Sequence, residues 1–237
     1  MGSGTAVAAV STQQAKQATL VSTLEGPLDA AWQLLDPRDP QSVNRFLAAI
    51  VALARSFGRI SASEAAKYYE AVRVAEGVPG AFVARPAPPA TPDEILAGAR
   101  WAIQGLWGPN PDSAAARSLL TGVVERNVLE AGRTTILDAA QRDRRCKGWA
   151  RETEPGCCSF CAMLATRGAV YRSESSGDFA SHNNCRCFAV PVFGTWEPSA
   201  EVAEWQQLYK ESTRGVHGAR RMRKAFRDAY EARSKTK

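Results

Sequence analysis

The feature that most limits how this chain can fold is a group of soft metal-ligand residues in its last third. The pattern is Cys158-x2-Cys161, twenty intervening residues, then His182-x2-Cys185-x-Cys187. Two-residue spacing lets both side chains of a tight turn reach one ion. Zinc takes four nitrogen or sulfur ligands in a tetrahedron, so two such pairs brought together complete a site. A loop of about twenty residues between the pairs is ordinary for small zinc modules. Residues 146–196 are too few to bury much apolar surface alone, and metal binding can supply the missing folding free energy.

The candidate ligands outnumber the four positions. The expected structural zinc set is Cys158, Cys161, His182 and Cys185, with Cys187 or Cys157 as alternates. If residues 185–187 are extended, Cys185 and Cys187 point to the same side. Spacing alone does not choose among them. Three other readings compete: disulfides, free buried thiols, and a thiol nucleophile at Cys158 or Cys161 with His182 as its base. The only other histidine, His217, lies in a basic tail, and the nearest orienting acid is Asp178. Cysteines crowded around one histidine suit a closed structural site better than a reactive one.

The redox setting supports ligation. The N-terminus lacks a basic region followed by a long apolar stretch, so no signal peptide is expected. The six cysteines are then expected in a reducing compartment, where metal ligation outranks disulfides. The longest apolar run, Phe46 to Ala54, is far short of a membrane span, and no membrane partner is expected.

The rest of the chain reads as mainly α: an N-terminal helical domain, a small Cys/His zinc-type α+β module, and a C-terminal basic helix. The expected division is 1–77 helical, 78–92 a Pro-rich linker or extended arm, and 93–145 helical with one long helix. The module follows at 146–196, then a helix and basic tail at 197–237. Gly26-Pro27 is expected to interrupt the first helix. Val43, Phe46, Leu47, Ile50, Leu53, Ala54 and Phe57 share one apolar face of a helix expected to end at Gly58. Ser61-Ala-Ser-Glu64 reads as a capping box opening the next helix, and Thr91-Pro-Asp-Glu94 as another. Leu120, Val124, Val128, Ala131 and Thr135 form the buried stripe of the long helix, expected from Ser113 to about Arg144. Short strands are expected at Ala169-Val170-Tyr171 and Phe188 to Phe193, and a last helix from about Ser199.

The net charge of +6 is unevenly placed. Residues 214–237 carry +7, so residues 1–213 are near neutral at −1. Arg220, Arg221, Arg223, Lys224 and Arg227 are the candidate contacts for a polyanion such as a phosphate backbone. No base-reading motif is present, so any such contact is expected to ignore sequence.

One stretch carries a resemblance. Gly148-Trp-Ala-Arg-Glu through Cys157-Cys158-Ser-Phe-Cys161 to Tyr171, followed by His182-Asn-Asn-Cys185-Arg-Cys187-Phe-Ala-Val-Pro-Val-Phe193, resembles the C-terminal module of the phage Mu protein F-like minor head proteins. It is most similar to the versions in phages of actinobacteria. The resemblance implies a low-copy head component of a tailed phage. It implies association with the portal protein and other head proteins, and the basic tail is expected to make any contact with packaged DNA. The implied location is the virion head, and the host cytoplasm during assembly. Relatives are often labelled capsid maturation proteases, which makes processing of scaffold or major capsid protein the alternative. The Cys157-Cys158 doublet departs from the family pattern and leaves the first ligand open.

Overall fold

The computed structural model describes residues 4–154, 156–170 and 181–234. In chain order the elements are α1 (Gly4–Gln33), α2 (Pro40–Ala75), α3 (Pro92–Ile103), a 3-10 turn (Gln104–Trp107), α4 (Ser113–Arg142), β1 (Gly148–Glu152), α5 (Ser159–Ala165), β2 (Phe188–Val192), α6 (Ala200–Ser212) and α7 (Ala219–Ser234). The fold is mainly helical, with one small antiparallel sheet among the described residues. In that sheet Gly148 pairs with Val192 and Glu152 with Phe188. Pro191, which has no N–H, is tolerated because a two-stranded sheet is all edge.

Local chemistry explains the helix starts. Asp39 accepts from Gln41 N at 2.9 Å ahead of Pro40. Thr91 and Glu94 close a full capping box, with Glu94 N donating to Thr91 Oγ1 at 3.3 Å and Thr91 N to Glu94 Oε2 at 2.8 Å. Asp112 caps α4 through Ala115 N at 2.8 Å, and Ser199 caps α6 through Val202 N at 3.4 Å.

Three expected breaks are absent, and each has a packing reason. α1 runs straight through Gly26-Pro27. Proline inside a helix costs about 3 kcal/mol, but Leu24 and Leu28 on either side are buried, and each such side chain returns about 1.5–3 kcal/mol. α2 does not end at Gly58, nor does a helix begin at Ser61. A Cβ at Gly58 would stand 3.0 Å from Pro89 Cβ, so this glycine admits the proline-rich arm. Ser61 faces Gly132 of α4, where a Cβ would lie 2.6 Å from Ser61 Oγ and 3.2 Å from its carbonyl oxygen. α2 stops instead at Gly77, whose φ of +64 suits the left-handed cap, with Val78 N returning to Arg73 O at 3.1 Å.

Residues 78–91 form no regular element, but they are an arm held against the bundle rather than a free linker. Ala84 and Ala87 are buried. Ala84 N donates to Glu70 Oε1 and Ala87 N to Thr135 Oγ1, both at 2.9 Å. Buried Arg73 donates to the carbonyls of Val78, Pro79 and Gly80 and pairs with Asp143 at 2.9 Å. The end of α2, the arm and the end of α4 therefore meet at one guanidinium.

One core joins α1, α2, α3 and the first half of α4 around Leu24, Ile50, Ile95 and Val124. A second joins the far halves of α2 and α4 to the sheet and to Cys161, Cys185 and Cys187. By length and composition α2 is apolar enough to cross a membrane, yet here its apolar face packs on α1, α3 and α4. Ala169 and Val170 lie in no strand, and Tyr171 falls outside the described residues. The strand that does pair with β2 is Gly148–Glu152.

Gly132→Val tests the α2–α4 approach. Its side chain has no room against the Ser61 backbone, so a loss of about 1–3 kcal/mol is expected in urea unfolding.

Candidate metal centre

Cys158 is the N-cap of α5, its Sγ accepting from Cys161 N at 3.5 Å. That cap places Cys161 one turn along, buried inside the second core. On the other side of the site, residues 182–185 make a tight turn in which Cys185 N donates to His182 O at 3.1 Å. Asn184 takes φ +62 in it, a left-handed conformation that asparagine tolerates better than most residues. The turn rests on α4 at Gly122, where a Cβ would meet Asn184 Oδ1 at 2.8 Å. Arg186 points away to Glu125 (3.7 Å) and Glu154 (3.9 Å). Cys185 and Cys187 are thereby left on the same inward side.

Five of the sequence candidates converge. The ligand atoms of Cys158, Cys161 and His182 lie within 4.8 Å of one another, and so do those of Cys161, Cys185 and Cys187. Cys161 belongs to both groups. Cys158 Sγ is 3.0 Å and Cys161 Sγ 3.3 Å from His182 Nε2, and Cys161 Sγ is 3.7 Å from Cys185 Sγ. All six cysteines are free thiols. Cys157 is not brought in: its Sγ sits 4.0 Å from Tyr230 Oη, beside the α5–α6–α7 core. Asp178 lies outside the described residues.

The donors suit a metal ion. With metal–sulfur bonds of about 2.3 Å, two thiolates on a tetrahedron stand about 3.8 Å apart, close to the Cys161–Cys185 separation. His182 Nδ1 lies 2.7 Å from the Asn183 carbonyl oxygen. A carbonyl only accepts, so Nδ1 carries a proton and Nε2 is the nitrogen that faces the sulfurs, a donor while the ring is charged and a free lone pair once it is neutral. Outer hydrogen bonds of this type orient metal-ligating imidazoles.

Electrostatics point the same way. Hydrogen bonding from Cys161, then the His182 charge, brings the Cys158 thiol down to about 5 against the cost of burial. Hydrogen bonds from Cys161 and Cys187, helped by the Arg133 charge, hold Cys185 well below the usual thiol range. Cys161 is driven up by hydrogen bonding with Cys158, Cys185 and Cys187, among which its one proton is shared. Cys187 is pulled down by Cys161 but, with Cys185 and burial prevailing, is pushed up to about 12. For His182, burial opposes the charged form, while the Asn183 carbonyl and Cys158 outweigh it and raise the pKa. Without a cation the cluster must keep protons on some sulfurs, and a divalent ion would take their place.

The sequence reading missed Arg133. It is fully buried on α4 and donates through Nε to Cys187 O at 2.9 Å and through Nη2 to Cys185 O. Its Nη1 meets Glu130 Oε2 at 3.2 Å, and Ser181 Oγ donates to the same carboxylate oxygen at 3.1 Å. The available signal was a lone cation between Val128 and Ile136, close to the buried stripe of α4.

The cationic candidates lie apart from the cluster. Arg220, Arg221, Arg223, Lys224 and Arg227 are exposed on α7. That helix is no loose tail: Phe226 is fully buried against α5 and α6, and Tyr230 Oη donates to the Cys157 carbonyl.

A model of the VG15 protein family matches residues 4–212, the span from the first residue of α1 to the last of α6, with the whole cluster inside it. The searches of curated proteins and of solved structures returned no match.

Cys161→Ser is expected to abolish metal binding, because Cys161 belongs to both ligand groups, whereas Cys157→Ser is expected to leave it intact. Metal per chain, read by mass spectrometry on purified protein, checks both.

Proposed function

Because the chain belongs to the VG15 protein family, a viral family, we propose that it is a minor capsid (head morphogenesis) protein of a tailed phage, associated with the portal and the head interior. The observation that carries this reading is the family match across the helical body and the Cys/His cluster together. The resemblance of residues 148–193 to Mu protein F-like head proteins supports the head assignment. The protein would assemble in the host cytoplasm and reside in the virion head, with the portal and other head proteins as partners. The cationic face of α7 would make non-specific contact with packaged DNA.

In this reading the metal is a structural Zn2+ held by Cys158, Cys161, His182 and Cys185, with Cys187 as the alternate fourth ligand. Its role is mechanical: it joins the α5 turn to the loop that Arg133 grips, in a segment with little apolar core of its own.

A second reading, capsid maturation protease, draws on one specific observation. Cys158 is exposed, its thiol is brought down to about 5, and it stands 3.0 Å from His182 Nε2, a nucleophile–base geometry. Against it, His182 Nε2 is shared with Cys161 at 3.3 Å, and its Nδ1 faces a backbone carbonyl, not a carboxylate.

His182→Ala separates the two. A structural site predicts loss of about one zinc per chain and a loosened C-terminal region by circular dichroism. A protease predicts a folded protein that no longer cleaves scaffold or major capsid protein. For the head reading, the portal should co-purify with the chain when both are expressed together; a portal that never co-purifies contradicts it.

A further inference from the structure

α7 and α5, the short helix that Cys158 caps, are the two walls of one open cleft. It encloses about 740 Å³ and is lined by Ser159 and Phe160 of α5 and by Arg220, Arg223, Lys224 and Arg227 of α7. Residues 220, 223, 224 and 227 recur at helical spacing and share one face. The neighbouring face is anchored, with Phe226 at 5.7 Å from the Tyr209 ring and Tyr230 at 6.2 Å from that of Trp205. Packing therefore fixes which way the cations point.

The charge in the cleft is only partly neutralised. Asp228 pairs with Lys224 and Arg227, and Glu231 lies 3.9 Å from Arg227. Among the described residues, Arg220, Arg221 and Arg223 have no carboxylate within ion-pair distance. Residues 220–227 rise about 10 Å along the helix, the length of roughly three nucleotides at about 3.4 Å each. Phe160 lines the same cleft with 38% of its surface exposed. An aromatic ring beside a cationic groove is the arrangement on which unpaired bases stack.

The cleft is also tied to the metal centre. Its α5 wall begins at Cys158 and turns on Cys161, and its α7 wall is held by Tyr230 to the carbonyl of Cys157. Losing the ion would free the turn that positions both walls.

We propose that this cleft binds the phosphate backbone of nucleic acid without reading its sequence, and that the metal centre holds the cleft in its binding shape. The proposal deepens the reading of α7 as a DNA contact and rests on it.

The test titrates the full-length, metal-loaded protein onto a short fluorescent DNA duplex and onto its unpaired strand, by anisotropy, over a series of salt concentrations. Affinity should fall linearly with salt on logarithmic axes. Arg220→Ala combined with Arg223→Ala should weaken duplex binding about tenfold and flatten the slope by about 1.8, about 0.9 for each lost phosphate contact. Phe160→Ala should weaken the unpaired strand roughly 5- to 150-fold and spare the duplex if a base stacks on it. Tyr230→Phe, which cuts the tie to Cys157 while keeping every candidate ligand, should retain the metal and lose affinity severalfold. Unchanged affinity and slope in the double arginine variant would overturn the cleft. Full affinity in both the chelated protein and Tyr230→Phe would overturn the link to the metal. Absent DNA binding with intact portal co-purification overturns the cleft and the DNA contact alone; loss of both overturns the head reading as well.

Discussion

Arg133 is the contact on which the cysteine module depends. A fully buried guanidinium has five donors to satisfy and a charge to compensate. In this fold the carbonyls of Cys185 and Cys187 take two of those donors, and Glu130 takes a third and balances the charge. The dependence runs both ways. Removing the cysteine loop would strand a cation inside the bundle at a cost of about 3–5 kcal/mol. Replacing Arg133 would leave two buried carbonyls without their donor, about 1–3 kcal/mol each. The same cation sits beside Cys185 and favours its thiolate. One side chain thus fixes where the loop lies and makes its sulfur a better ligand.

Two shared residues give the module its connectivity. Cys161 closes the α5 turn, lies between His182 and Cys185, and sits in the core that also holds Tyr69 and Phe188. Arg73 plays the matching part lower in the bundle, where it ties the end of α2 and the arm to Asp143 at the end of α4. β1 follows α4 within a few residues, so Arg73 also sets where the sheet starts. The sheet then carries Phe188, directly after Cys187, against Tyr68 at 6.0 Å. The module is held to the bundle at both of its ends.

What could be read from the sequence was what short-range chemistry decides. The Thr91–Glu94 capping box, the start of α6 at Ser199, the helical basic segment and the inward pairing of Cys185 with Cys187 all follow from neighbours a few residues apart. The errors came where two distant segments meet. Gly58 and Ser61 look like punctuation in sequence, but with Gly132 they are the small residues that let α2, α4 and the arm approach closely. Pro27 looked like a break because the burial of Leu24 and Leu28 is invisible locally. The partner of β2 was missed because pairing residues 148–152 with residues 188–192 is a long-range event. Arg133 was missed because a charged residue on a long helix normally faces solvent, and only the folded cysteine loop gives it partners.

The surplus of donors bears on what the site is for. A catalytic thiol needs one base aimed at one sulfur, and further thiols nearby compete for the same proton. Here His182 Nε2 stands almost equally close to Cys158 and Cys161, and Cys161 in turn shares its hydrogen bonding among Cys158, Cys185 and Cys187. The low pKa of Cys158 follows chiefly from that shared hydrogen bonding, with the histidine second. A network that spreads its protons over four sulfurs is poorly suited to delivering one of them to a leaving group. It is well suited to giving them all up to a cation. The exposed edge at Cys158 is then the place where the ion's turn meets the cationic cleft, and the buried edge at Cys187 is the place where it meets the bundle.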